Sequence, residues 1–85
     1  MKYVIIVNPL TGIESSIMFD ESIKHDLFLD LKPVSAGFVA FEKDEIHPHG
    51  YSESLKMEPR PEDARIIRRA VIFNREIFHP EPTQT

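Results

Sequence analysis

Glu42, His47, His49 and Tyr51 fall in one short stretch of this chain and are its clearest set of side chains able to do chemistry. Two imidazoles at alternate positions of a β-strand point to the same side, and a carboxylate on a facing strand can join them. Such a set has the ligand types for a divalent ion such as Zn²⁺ or Ni²⁺. Histidine also titrates near neutral pH, which suits acid–base work. A zinc site usually takes a third or fourth protein ligand, and only His25 and His79 remain as further imidazoles. The plainer explanation is an exposed strand face that carries a Glu–His pair.

A second set is basic. Every arginine lies at position 60 or beyond, and every lysine lies before it. Arg65, Arg68, Arg69 and Arg75 fall on the outer face of a helix expected to begin near Pro61, and Ile72 falls among them. Guanidinium forks hold phosphate or carboxylate, so this face is a candidate for nucleic acid or an acidic ligand. Against it, the formal charge of −4 gives no general attraction to nucleic acid. Helix-turn-helix signals are also lacking. An apolar residue ringed by arginines suits a protein interface at least as well.

No complete catalytic motif accompanies these sets. Ser15, Ser16, Ser52 and Ser54 lack a Gly-x-Ser-x-Gly elbow. Gly12, Gly37 and Gly50 are too dispersed for a phosphate loop. With no cysteine there is no disulfide framework and no thiolate ligand, and no cofactor is expected. The composition, 41% hydrophobic and 28% charged over 85 residues, is that of one small globular domain with a thin core.

The elements that must position these residues follow from the patterning. Residues 3–7 are continuously apolar and β-branched or aromatic, which reads as a strand buried on both faces. The run stops at Asn8-Pro9, too short for a secretory leader, and no stretch approaches the ~20 residues of a membrane span. Residues 8–12 are turn chemistry, and residues 16–19 a second strand. Ile23, Leu27 and Leu31, with Phe28 alongside, predict a buried helical face of about three turns ending before Pro33.

Residues 34–41 read as the third strand, in which Gly37 marks a bulge or a close backbone approach. Residues 46–51 read as the fourth, placed at a sheet edge because Pro48 cannot donate to a ladder. A two-residue loop at Asp44-Glu45 would set Glu42 opposite His47 and Phe38 opposite Tyr51. Phe38, Ala40, Glu42, His47, His49 and Tyr51 then share one side, and Val39, Phe41, Ile46 and Pro48 the core side. The last helix should run from about 61 to 78.

The expected fold is therefore α+β: a mainly antiparallel four-stranded sheet in ββαββα order, with two helices on one face. One domain should cover residues 1–80, with a flexible tail over 81–85.

Three segments together, 33–39 (PVSAGFV), 52–55 (SESL) and 60–64 (RPEDA), resemble small uncharacterised proteins encoded by tailed bacteriophages and prophages. The resemblance implies a small cytoplasmic protein and supplies no activity, site or cofactor. The sequence as a whole points to a non-enzymatic interaction protein that associates with itself or another protein. Its expected contact residues are Arg65, Arg68, Arg69, Ile72 and Arg75. Nucleic-acid binding through those arginines and a metal or acid–base site at Glu42, His47 and His49 are the alternatives.

Overall fold

A computed structural model describes residues 1–78, with side chains through Val71. The chain order is β1 (Lys2–Val7), β2 (Glu14–Phe19), a 3-10 helix (His25–Leu31), β3 (Ser35–Glu42), β4 (Glu45–His49) and α1 (Asp63–Phe78). The four strands form one antiparallel sheet in the spatial order β2-β1-β3-β4. This is an α+β fold. The expected tail at 81–85 and the imidazole of His79 lie outside the described residues.

β1, apolar from Tyr3 to Val7, sits between β2 and β3, and both of its faces are covered, as that hydrophobic run requires. Tyr3 and Ile5 face α1, where they pack with Val39, Ile66 and Ile67. Val4 faces the other way, against Phe19, Ala36 and Leu55, with Ile23 and Phe28 alongside. Each such aliphatic burial contributes about 1.5–3 kcal/mol.

The two helices therefore do not share a face, contrary to expectation. The first helix also differs in its winding. Leu27 and Leu31 were expected to face inward, but the segment winds as a 3-10 helix, with about three residues per turn. His25 and Phe28, three apart, then share the inward side, and Leu27 and Leu29 fall off it; Leu31, at the end of the helix, is exposed as well.

β4 lies at the sheet edge. Val39 donates its N–H to Met1 O at 2.8 Å, so its backbone groups turn toward β1. Its partner in β4 is Pro48, which thus occupies a non-hydrogen-bonded pair and points its missing donor outward. The ladder loses no bond to the proline, and the open edge is blunted. Gly37 is a close approach, as its position suggested. A Cβ there would stand 2.7 Å from Pro59 Cγ and 2.9 Å from His49 O.

Candidate functional site

The β3–β4 hairpin turns at Lys43-Asp44, with Lys43 in the left-handed region at φ 55°. Glu42 therefore pairs with Glu45, Ala40 with His47 and Phe38 with His49. This register differs by two residues from the one a loop at Asp44-Glu45 would give. A shift of two preserves the alternation of faces, so Glu42, His47 and His49 still share one side.

What they do there is pair locally. His47 Nε2 stands 3.1 Å from Glu45 Oε1 and 3.8 Å from Glu42 Oε1, with all three side chains well exposed. The His49 ring stacks on Phe38, centroids 6.0 Å apart. Among the described residues no group of three or more His, Asp or Glu is arranged to hold a metal ion. Tyr51, past the end of β4, lines an open cleft of about 580 Å³ with Lys2, Lys24, His25, Asp26 and Phe38. In that cleft Lys2 Nζ donates to Ile23 O at 2.8 Å, and buried His25 shares an Nε2–oxygen hydrogen bond of 2.9 Å with Gly37 O.

The arginines are likewise drawn into the fold. Arg68 Nη2 donates to Asp44 O at 2.6 Å, and Arg69 Nη2 to Glu14 O at 3.0 Å. Arg65 is exposed. The side chains of Ile72 and Arg75 lie outside the described residues.

Arg60 is the most committed of them, and its role was not legible as a site. Arg60 stands three residues before Asp63, the first residue of α1, and its carbonyl accepts the Asp63 N–H at 3.0 Å. Its N–H donates to Asp63 Oδ2 at 3.0 Å, its Nε to Oδ1 at 3.1 Å and its Nη2 to Glu14 Oε1 at 2.8 Å. Tyr3 closes the network by donating its hydroxyl to Asp63 Oδ2 at 2.7 Å. The Arg60 hydrogen bond holds the Glu14 carboxyl below the usual glutamate range, and Glu14 in turn pushes the guanidinium up. Burial, then the bond to Asp63, pushes the Tyr3 phenol up.

The surface that sequence reasoning missed lies at the other end of β1. The β1–β2 turn holds Leu10 at 93% exposure. This turn is rigid. Asn8 Oδ1 accepts the N–H groups of Leu10 and Thr11 at 2.8 and 3.3 Å, and Thr11 Oγ1 accepts that of Ile13 at 3.2 Å. Gly12 donates to Asn8 O at 2.8 Å, and Asn8 to Ile13 O at 2.9 Å. Gly12 supplies the positive φ, 76°, that the turn needs.

Beside Leu10, a groove of about 740 Å³ is lined by Ile6, Val7, Pro9 and Leu31, with Asp30 and Lys32 among its charged walls. A leucine at the tip of an Asn-Pro-x-Thr-Gly turn, where a polar residue is usual, was the available signal.

No family model, curated protein or solved structure matches this chain. Among the described residues no helix is long and apolar enough to cross a membrane.

Proposed function

We propose that this protein is a non-enzymatic protein-interaction module whose contact surface is the apolar end formed by Leu10, Leu31 and the groove between them. One observation carries the reading: five hydrogen bonds within residues 8–13 hold a leucine out in water. A turn whose backbone is already ordered loses little backbone entropy on binding, which is how interface anchors gain affinity. The groups that sequence alone offered for chemistry support the same reading. His49, Arg68 and Arg69 are each engaged within the fold, while Glu42, His47 and Arg65 stand exposed.

A photocrosslinking benzophenone residue in place of Leu10 tests this in lysate and with the protein alone. It should give discrete protein adducts, and the same residue in place of the exposed Glu53 should not. Equal, diffuse labelling at both positions would overturn the reading.

A further inference from the structure

We infer that the partner of this surface is a second copy of the same chain, docked about a two-fold axis that passes between Asp30 and Lys32. The inference rests on the apolar end being the contact surface. In a two-fold interface a patch meets its own image, so it must carry both halves of every contact. This patch does. Leu10 projects, and the hollow beside it is lined by Ile6, Val7 and Leu31. Each copy thus offers one apolar knob and one apolar recess.

The charges are self-complementary too. Asp30 and Lys32 stand two positions apart along the same groove, with opposite sign. Among the described residues neither takes part in an ion pair. An axis between them sets each acid against the base of the other copy. A partner of one charge sign would meet one of these two groups unfavourably. Lys32 is also fixed where it stands. It caps the 3-10 helix at φ 54°, with its N–H on Leu29 O at 2.9 Å. That conformation favours glycine, so a lysine there is held under strain at the groove.

The test is light scattering and a dilution series on the full chain and its variants. The wild type should show a concentration-dependent dimer. Leu10→Asp should weaken it about a hundredfold or more, because two anchors are lost per dimer. Leu10→Ser, a milder change at the same exposed position, should weaken it in the same direction.

Asp30→Lys and Lys32→Asp should each weaken it about threefold to tenfold. Mixing those two single variants should restore association as a heterodimer, since each acid again faces a base. A chain that is monomeric throughout, while position 10 crosslinks to some other protein, overturns self-docking and leaves the contact surface standing. A Leu10-dependent dimer that the mixture fails to restore overturns the two-fold arrangement. A dimer indifferent to Leu10→Asp overturns both the inference and the reading beneath it.

Discussion

Tyr3 and Asp63, separated by 60 positions in the chain, are joined by a buried hydrogen bond of 2.7 Å that ties the central strand to the start of α1. Asp63 has no exposed surface, and its two oxygens accept from Tyr3 and from Arg60. Tyr3→Phe leaves a buried carboxylate short of one donor and should destabilise the fold by about 1–3 kcal/mol. Asp63→Ala should cost more, since it leaves the Tyr3 hydroxyl and the Arg60 N–H and Nε without their acceptor together. Urea unfolding reads both as lower midpoints at unchanged slope. A Tyr3→Phe midpoint equal to wild type would show the bond to be idle.

The same network sets the pH dependence. Glu14 titrates lower folded than unfolded because Arg60 donates to it. Its contribution to stability is therefore present above the ordinary glutamate range and is lost as pH falls through the lowered value. Tyr3 runs the other way. Its folded phenol binds its proton more tightly, so stability declines as pH rises above the ordinary tyrosine range. Unfolding measured across pH should show Glu14→Gln flattening the acid limb and Tyr3→Phe flattening the alkaline one. Unchanged limbs in both variants would remove the network from the pH response.

Gly37 has no room for a side chain. Gly37→Ala would press its Cβ on Pro59 and on the His49 carbonyl. Because one of those neighbours is backbone, the expected cost is about 1–3 kcal/mol. Thermal unfolding should show a clear drop, and a neutral alanine would mean that the 59 segment yields freely.

Lys43 holds a left-handed conformation at the hairpin turn. Lys43→Gly relieves that strain and should stabilise by about 0.5–1 kcal/mol after the entropic cost of glycine is deducted. A β-branched Lys43→Val should do the reverse. If both variants unfold at the same denaturant concentration, the turn is not strained.

His47 makes only exposed ion pairs. His47→Ala should change stability by less than about 0.5 kcal/mol. Zinc titration followed by histidine NMR should give no stoichiometric shift at His47 or His49. Tight, saturating shifts there would restore the metal reading.

The sequence was informative where a pattern of period two was enough. The unbroken apolar run of residues 3–7 led to a strand buried on both sides, and the faces of β3 and β4 follow the alternation even though the turn falls one position earlier. It misled where helical period mattered. Ile23, Leu27 and Leu31 fit an α-helical stripe, yet the 3-10 winding turns Leu27 outward and buries His25 with Phe28 instead. Leu10 escaped notice because turn residues are judged by backbone preference, which says nothing of what their neighbours present.

The outward-facing proline of β4 bears on how copies of this molecule can add to one another. Open-ended growth by strand addition needs two receptive margins per unit, one to accept and one to offer. Pro48 blunts one margin. The other, along β2, is narrowed where Arg69 occupies the Glu14 carbonyl. Strand addition is therefore discouraged along both margins. A strand laid along β4 would meet a gap in its ladder at Pro48, so the proline opposes sheet growth on that side.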